Sequence, residues 1–283
     1  MKRVLITGAG SYIGTSFEAY IKETAPEEYA VDTVDMIDGS WREKDFSKYD
    51  AIYHVAGIAH QKETKENAES YYRVNRDLAI ECAKKAKAEG VGQFIFLSSM
   101  SVYGKDVGVI TPDTKPSPKS NYGKSKLQAE EGLSLLADEH FRIAVLRPPM
   151  VYGKGCRGNF GTVLKLVKKS PVFPRIGNER SMVHVDNLSA FIKLCLDKEL
   201  EGLYFPQNKD YVKTVDIART AAKKLGKKRY FSFLLGFGVA ILRLFLPIAK
   251  KAFGTLIYRD TERFDFCYEA VSGKESLEKS IEG

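Results

Sequence analysis

The feature that most constrains this chain is a glycine-rich turn between its first strand and its first helix. Apolar residues 4–6 predict a strand, and the segment Thr7-Gly8-Ala9-Gly10-Ser11-Tyr12-Ile13-Gly14 leads from it into a helical pattern. Glycines permit a tight turn and let a diphosphate approach the backbone at the positive end of a helix. The placement favours a dinucleotide-binding turn over a plain strand–helix turn, with contacts from Gly8, Gly10, Ser11, Tyr12, Ile13 and Gly14.

Short apolar runs alternate with helical patterns through the first half of the chain. Strands are predicted at residues 3–7, 30–35, 51–56, 93–98 and 142–147. Helices are predicted at residues 12–24, 71–88 and 122–139, and the later part adds a strand at 203–205 and a helix at 214–224. Because such alternation is typical of parallel sheets, we predict an α/β chain with a doubly wound parallel sheet.

Composition excludes several classes of protein. With 283 residues, 44% of them hydrophobic, the chain can bury a full core without disulfides. Its four cysteines are widely spaced and form no C-x-x-C pair, so we expect no metal site and a reducing, cytoplasmic location. The first residues lead straight into a strand, so no signal peptide is expected. The net charge of +8 suits an acidic partner, but nothing beyond charge favours nucleic acid, which we do not predict.

An acidic residue ends the second predicted strand. Asp35 lies 21 residues after Gly14, where a carboxylate accepts hydrogen bonds from the adenosine ribose and repels a 2′-phosphate. NAD is therefore favoured over NADP. Asp32 would take this role if the strand register differs, Arg42 could soften the preference, and an ordinary turn residue is the alternative.

A serine run and a Tyr-x-x-x-Lys pair supply candidate chemistry. Ser98-Ser99 follows the fourth strand, where open α/β sheets place their ligands. Tyr122 and Lys126 share one face at the start of a helix. A phenol with a pKa of about 10 is a poor base at neutral pH, but a nearby ammonium and an oxidised nicotinamide favour phenolate. We therefore expect Lys126 to lower the pKa of Tyr122.

Several segments together carry a family resemblance. In chain order they are the glycine-rich turn, Asp35, Asp45-Phe46, His54-Val55-Ala56-Gly57, Asn75, Ser98-Ser99, Tyr122-x-x-x-Lys126 and Arg147-Pro148. This order resembles the extended short-chain dehydrogenase/reductases, and within them the nucleotide-sugar epimerase/dehydratase family, over nearly the whole chain. One departure is Ser11, which stands where that family usually has the middle glycine of its turn.

The resemblance implies a Rossmann fold and a set of roles. Ser99, Tyr122 and Lys126 would be the catalytic triad, with Ser99 and Tyr122 also touching the sugar. Further cofactor contacts are implied for Asp45, Phe46, Val55, Ala56, Gly57, Asn75, Tyr122, Lys126 and Pro149. Arg180 and Asn159 are the implied diphosphate contacts of the substrate, since a guanidinium binds two phosphate oxygens together. A structural ion pair for Arg180 and a helix cap for Asn159 are the alternatives.

The predicted domains follow the same resemblance. Residues 1–152, completed by about 185–210, would form the NAD-binding Rossmann core. Residues 153–184 and 211–283 would form a smaller C-terminal substrate lobe. A homodimer through the helices at 71–88 and 122–139 is also implied.

The residues after Ser99 bear on the reaction. Dehydratases of this family carry an Asp-Glu pair there, whereas this chain has Met100 and Ser101, which argues against dehydration. We expect an NAD-dependent epimerase that acts at C4 of a nucleotide sugar, a UDP-hexose or UDP-N-acetylhexosamine, in surface polysaccharide synthesis. The alternatives are an NAD(P)H-dependent reductase of a nucleotide 4-keto sugar and a non-catalytic NAD(P)-binding regulator.

The most apolar stretch is residues 231–253. Arg243 and Pro247 interrupt it, so it is too short to span a bilayer. Basic residues flank both ends, as in helices that lie at a membrane interface. A helix packed onto the substrate lobe and a peripheral membrane contact are both open from the sequence.

Overall fold

The computed structural model describes residues 1–59, 61–156, 158–261 and 267–281, and for helical residues 159, 243, 244, 247, 248 and 251 it describes the backbone only. The strands in these ranges are β1 (Lys2–Thr7), β2 (Tyr29–Val34), β3 (Ala51–His54), β4 (Gln93–Leu97), β5 (Gly108–Ile110), β6 (Arg142–Leu146), β7 (Met150–Tyr152), β8 (Val172–Pro174), β9 (Met182–His184), β10 (Gly202–Tyr204), β11 (Tyr230–Ser232) and β12 (Leu256–Tyr258). The α-helices are α1 (Tyr12–Thr24), α2 (Ala68–Tyr72), α3 (Leu78–Ala88), α4 (Asn121–Ser134), α5 (Asn159–Lys169), α6 (Val185–Asp197), α7 (Thr214–Lys224), α8 (Phe233–Phe245), α9 (Pro247–Phe253) and α10 (Gly273–Ser280).

The chain divides into two compact units. The first comprises Met1–Gly104, Lys115–Pro148 and Leu188–Pro206, and the second Lys105–Thr114, Pro149–Asn187 and Gln207–Gly283. The second unit thus includes residues 105–114, which the sequence-based division assigned to the first domain. The assignment of cofactor to one unit and substrate to the other stays a prediction.

The first unit is built on one parallel sheet. Its six strands lie in the order β10-β6-β4-β3-β1-β2. The chain therefore adds strands on one side of β1 and then on the other, which confirms the predicted doubly wound α/β class. Thr7 pairs with both Val34 and His54, so β1, β2 and β3 end side by side. A sheet of this kind binds ligands outside the carboxyl ends of its strands where the order reverses, here between β1 and β3.

Apolar strands and small helix residues form the core of this unit. Every residue of β3 and β4 is buried, as expected for parallel strands covered on both faces. Phe94 and Phe96 of β4 pack in one cluster with the alanines and the cysteine on the inner face of α3. The sheet is thereby held rigidly beneath the loops that follow its strands.

The predicted elements of this unit agree with the structure apart from their ends and from a π-helical turn (Arg73–Asp77) that divides the helix predicted at 71–88 into α2 and α3. The five predicted strands of the first half end within two residues of the observed ones, and α1 matches in full. The helix predicted at 122–139 instead ends at Ser134. Asp138 turns the chain there, because its carboxylate accepts hydrogen bonds from the backbone N–H groups of His140 and Phe141, both at 2.9 Å.

Within its described residues, the second unit contains three short two-stranded sheets, each parallel. They pair β11 with β8, β12 with β5, and β7 with β9. Helices α5, α7 and α10 contribute to its core, which contains Phe160, Phe173, Ile217 and Leu277. Only α7 was predicted from the sequence, at the same bounds.

Candidate active site

The glycine-rich turn is fixed to the end of β2. The backbone N–H groups of Gly8 and Ala9 both donate to the Val34 carbonyl, at 2.9 and 3.1 Å. Gly8 has a φ of +91°, and a Cβ at this position would lie 2.9 Å from the Cα of Ala56. Glycine is required here because both the backbone angle and the close approach exclude a side chain.

The N-terminus of α1 follows this turn directly. Ser11 caps the helix, its Oγ accepting a hydrogen bond from the Gly14 N–H at 3.2 Å, which explains serine at the family's glycine position. Tyr12 and Ile13 form the first turn of the helix. Gly10 has a φ of +74°, and the space that a Cβ would take is open. This cradle of backbone amides and positive helix dipole suits a diphosphate, so the turn fits a dinucleotide.

Asp35 lies directly after β2, beside the turn. It is exposed, and its Oδ1 accepts a hydrogen bond from the Ile37 N–H at 2.9 Å. Asp32, the alternative, lies within the strand and accepts a bond from the Tyr49 hydroxyl at 2.7 Å. Arg42 is held by two hydrogen bonds to the Glu81 carboxylate, at 2.6 and 2.7 Å. The Asp35 carboxylate at the end of the strand can accept hydrogen bonds from ribose hydroxyls, and Arg42 is already paired with Glu81. The surroundings therefore suit a ribose with free hydroxyls rather than a 2′-phosphate.

Asp45 and Phe46 differ in their surroundings. The Asp45 carboxylate accepts hydrogen bonds from the Ser47 N–H and Oγ, at 2.9 and 2.6 Å, which lowers the pKa of Asp45. The Phe46 ring is fully buried against Trp41, at 6.4 Å between ring centroids. A ligand contact at Phe46 would therefore come from its backbone.

Asn75 holds the loop that follows β3. Val55 and Ala56 at its start are buried. Asn75 is fully buried in a π-helical turn (Arg73–Asp77) between α2 and α3, a conformation often found at functional sites. Its amide accepts a bond from the Ile58 N–H at 2.8 Å and donates to the Ile58 carbonyl at 3.1 Å.

The same loop lies close to α4. The Asn75 amide also donates to Ser125 Oγ at 3.2 Å. A Cβ on Gly57 would lie 2.9 Å from Asn75 Oδ1 and 3.4 Å from Lys126 Nζ. Asn75 thus positions the loop and α4 together, and the missing side chain of Gly57 keeps the surroundings of the lysine ammonium open.

Ser99 begins a short 3₁₀ turn, Met100–Tyr103, beyond β4. Its Oγ accepts a hydrogen bond from the Ser101 N–H and donates to Ser101 Oγ, both at 3.1 Å. These two bonds fix the orientation of the Ser99 hydroxyl. Ser101, where dehydratases of the resembling family carry an acid, therefore acts as a positioning residue for Ser99.

Close packing of α4 against this turn brings Tyr122 to Ser99. Ser120 caps α4 by accepting a bond from the Gly123 N–H at 3.1 Å. A Cβ on Gly123 would lie 2.6 Å from the Ser101 carbonyl oxygen, so only glycine permits the approach. Tyr122 is partly buried here and forms a side-chain hydrogen bond with Ser99.

The pKa shifts of Tyr122 and Lys126 differ from the expectation. Burial raises the pKa of Tyr122, and the hydrogen bond with Ser99 only partly opposes it. Lys126 is 4% exposed, donates from Nζ to the Leu97 carbonyl at 2.8 Å and lies 4.6 Å from the Phe96 ring centroid. Burial lowers the pKa of Lys126 to about 8, against the nearby Glu130. The predicted lowering of the Tyr122 pKa by Lys126 is thus not what the structure shows, since burial dominates at both groups.

Glu130 joins the three segments that meet at the site, and sequence reasoning missed it. It lies one turn after Lys126, and its carboxylate accepts bonds from Arg147 Nε at 3.1 Å to each oxygen and from Ser98 Oγ. Arg147 also donates to the Tyr103 hydroxyl at 2.7 Å. The network therefore ties α4, the end of β6 and the loop after β4 to one another.

Glu63 was also missed. Its two carboxylate oxygens accept the backbone N–H groups of Asn121 and Tyr122, at 2.9 and 3.1 Å. A negative charge at a helix N-terminus is favourable. Glu63 thus fixes the start of α4 at the residue that carries the phenol, but in the sequence it is one charged residue in a polar loop.

The predicted diphosphate contacts of the substrate, Arg180 and Asn159, and the predicted cofactor contact Pro149 lie in the second unit. The Arg180 guanidinium is partly buried and donates from Nη1 to the Gly254 carbonyl at 2.9 Å. Burial lowers the pKa of Arg180, opposed by Asp106. Asn159 begins α5, but its side chain lies outside the described residues, and Pro149 is buried at the start of its segment. The role of all three in binding stays a prediction.

His184 has a structural environment. It is buried, its Nδ1 accepts a bond from the Asp186 N–H at 3.3 Å, and it packs edge-on against Tyr152. Burial lowers the pKa of His184. Among the residues with described positions, no group of three or more His, Cys, Asp or Glu side chains could hold a metal ion.

The chain is similar to known proteins in sequence and in fold. A sequence profile of the NAD dependent epimerase/dehydratase family matches residues 4–204. UDP-glucose 4-epimerase of Vibrio cholerae is 31% identical over 80% of this chain and 76% of its own length. The N-acetyl-alpha-D-glucosaminyl-diphospho-ditrans,octacis-undecaprenol 4-epimerase of Escherichia coli O157:H7 is 27% identical over 70% of this chain and 64% of its own. The crystal structure of UDP-glucuronic acid 4-epimerase from Bacillus cereus in complex with NAD has the same fold, with a TM-score of 0.73, 20% identity and coverage of 98% and 95% of the two chains.

Proposed function

The chain belongs to the NAD dependent epimerase/dehydratase family, and on that premise we propose that it epimerises a nucleotide sugar at C4 through a 4-keto intermediate. We propose a UDP-hexose or UDP-N-acetylhexosamine as substrate and supply of surface polysaccharide synthesis as the role. The observation that carries the proposal is the close packing of α4 against the turn after β4 at Gly123, which places Tyr122 beside Ser99 and Lys126 on the Leu97 carbonyl at the end of the sheet.

The chain's own residues handle the proton of the sugar hydroxyl. With the positive charge of an oxidised nicotinamide to favour its phenolate against the effect of burial, Tyr122 takes the proton from the 4-hydroxyl. The Ser99 hydroxyl turns from Ser101 Oγ and donates a hydrogen bond to the same sugar oxygen. The phenol then returns the proton to the 4-keto oxygen once the opposite face of C4 has been reduced. NAD, when bound, supplies the acceptor and the donor of hydride for these two half-reactions. No net oxidation results, so one cofactor serves every turnover.

The cofactor proposal rests on the residues at the ends of β1 and β2. The N–H groups at the start of α1 would hold the diphosphate, and Asp35 the adenosine ribose. Lys126, buried and held on the Leu97 carbonyl, would donate to the nicotinamide ribose. Asp45, Phe46, Val55, Ala56 and Asn75 would border the adenine and the cleft, as the family resemblance implies.

The residues beside Ser99 argue against dehydration. Eliminating water from the sugar needs an acid and a base, and Met100 and Ser101 supply neither. A reductase of a 4-keto sugar nucleotide would use the same three residues once per turnover and consume NADH or NADPH. The two functions differ in whether reductant is consumed, and the experiment below separates them.

A second candidate substrate comes from the Escherichia coli relative, whose name describes a sugar diphosphate linked to undecaprenol. A C4 epimerase needs the sugar and the diphosphate but not the uridine itself. The substrate of this chain would then be a polyprenyl-diphospho-N-acetylglucosamine. The same three residues would carry out the same chemistry on it.

The experiment incubates purified protein with NAD and UDP-glucose, UDP-N-acetylglucosamine or polyprenyl-diphospho-N-acetylglucosamine, and follows the sugar by NMR. We expect the C4 epimer to accumulate without added reductant. Tyr122→Phe should lower the rate about 100- to 10,000-fold, the usual contribution of a positioned acid–base group. No epimer from any of the three substrates, together with reduction of a 4-keto sugar nucleotide by NADH or NADPH, would overturn the proposal in favour of a reductase. No turnover with either would favour a binding protein.

We also propose a homodimer formed through α3 and α4, as the family resemblance implies. Light scattering after size-exclusion chromatography measures the mass directly. A monomeric mass at all concentrations tested would contradict this proposal.

A further inference from the structure

Helix α8 presents an apolar surface to solvent. Leu234, Phe237, Ile241 and Phe245 recur at spacings of three and four residues and so share one face of the helix. Their exposed fractions are 84%, 62%, 44% and 75%. We call these four residues the apolar stripe. A contiguous group of large exposed apolar side chains marks an interaction surface, whereas single exposed apolar residues are common on any protein.

The rest of the segment is anchored, so the stripe is held in place. Gly236 lies on the opposite face of α8, and a Cβ there would meet the Arg175 carbonyl oxygen at 2.2 Å. Phe231 before α8 and Phe253 at the end of α9 both pack against the buried Phe173, at 6.1 and 6.3 Å between ring centroids. The stripe is therefore a fixed outward surface of the second unit.

Charge identifies the occupant of this surface. Residues 217–259 contain ten Lys and Arg and no acidic residue, whereas the other 240 residues hold 34 basic and 36 acidic residues, a net charge of −2. The excess positive charge of the chain thus lies in the segment that carries the stripe. Lys227 and Lys228 precede α8 and Lys250 follows it, and all three are exposed.

We propose that α8 lies in the interface of an anionic lipid membrane, with the apolar stripe among the acyl chains and the flanking lysines on the headgroups. Apolar area and attraction to anionic lipid act together in such helices. At 13 residues α8 is about 20 Å long, and no helix within the described ranges is long and apolar enough to cross a bilayer. A symmetric contact between two copies would place two such positive segments side by side.

The test measures sedimentation of the full-length protein with vesicles of phosphatidylcholine, alone or mixed with phosphatidylglycerol. We expect binding to the mixed vesicles that weakens with salt. Phe237→Glu should weaken it about tenfold or more, the equivalent of burying one large apolar side chain. Lys228→Ala and Lys250→Ala should each weaken it roughly fivefold. Leu135→Glu, at a leucine of the first unit that is 85% exposed, is the matched control and should bind like the wild type.

Two results would overturn the proposal. One is that wild type and Phe237→Glu sediment to the same extent as each other with vesicles of either composition. The other is a dimer in solution that Phe237→Glu converts to monomer while vesicles capture neither protein, which would assign the stripe to a second copy. Vesicle binding needs no turnover, and Phe237→Glu should keep wild-type activity on a soluble substrate. Failure of the membrane proposal is thus distinguishable from failure of the proposed reaction.

Discussion

Replacing Glu130 by glutamine tests the buried pair that joins the segments of the site. The Glu130 and Arg147 side chains are each only 8% exposed. Glutamine keeps the shape of the side chain but removes its charge. The buried Arg147 guanidinium would then lose the charge of Glu130, while its bond to the Tyr103 hydroxyl remains.

The expected loss follows from burial. Removing one partner of a buried ion pair typically costs about 3–5 kcal/mol, well above the 0.5–1.5 kcal/mol of an ordinary hydrogen bond. That is a large part of the 5–15 kcal/mol that stabilises a typical protein. Urea unfolding measures it, with fluorescence of Trp41 as the signal. This is the single tryptophan of the chain, and it is buried in the first unit, so it reports on the unit that holds the pair.

The matched control is Glu81→Gln. Glu81 also binds an arginine, Arg42, through two hydrogen bonds, but the two side chains are 47% and 52% exposed. Water and salt screen such a pair, so the loss of stability should be far smaller than at Glu130. Equal losses of unfolding free energy at Glu130 and Glu81 would show that burial of the pair contributes nothing.

Three further predictions concern single positions. Gly123→Ala places a Cβ 2.6 Å from a backbone oxygen, so displacement of α4 by about 1 Å should lower kcat/KM about 100-fold. Gly161→Ala, at the same third position of α5, should leave kcat/KM unchanged, because the nearest atom to its Cβ lies at 3.9 Å. Equal kcat/KM values for the two variants would contradict the packing argument. Burial lowers the pKa of Lys126 to about 8 in the folded protein, so the unfolded chain binds more protons between about pH 8 and 10.5. The unfolding free energy of the wild type relative to Lys126→Met should therefore rise with pH over that range. A difference in unfolding free energy that stays constant with pH in urea titrations would contradict this prediction. Gly8→Ala should lower the Tm of the cofactor-free protein more than Gly10→Ala does. Both positions have a positive φ, but only the Cβ at position 8 would collide with a neighbouring backbone, that of Ala56. Equal shifts in Tm would contradict that collision.

The sequence predicted the first unit well because its signals are local. The glycine-rich turn, the apolar runs of the parallel strands and the Tyr-x-x-x-Lys spacing each lie within a few residues of one another. Register then places Asp35 beside Gly8, as the strand-end interpretation expected. These local features suffice to locate the candidate site at the carboxyl end of the sheet.

What the sequence did not predict depends on distant partners. Glu130 resembles a surface glutamate of a helix, and only Arg147, 17 residues later, makes it a buried anchor. The strands of the second unit are three residues long, and their parallel pairs join remote segments, such as β5 with β12. For Arg180 the carbonyl partner is 74 residues away, so neither its contact nor its burial could be read locally. The exposure of α8 is likewise a tertiary property, since an apolar helix is more often buried.

The most direct measurement uses UDP-glucose and UDP-N-acetylglucosamine that carry deuterium at C4, incubated with the protein in ordinary water and followed by NMR. If Tyr122 removes the hydroxyl proton while the C4 hydrogen leaves and returns as hydride, the C4 epimer keeps its deuterium. Tyr122→Phe, folded like the wild type, should form almost no epimer. Deuterium lost to solvent, or equal turnover by Tyr122→Phe, would contradict the proposed chemistry at Ser99, Tyr122 and Lys126.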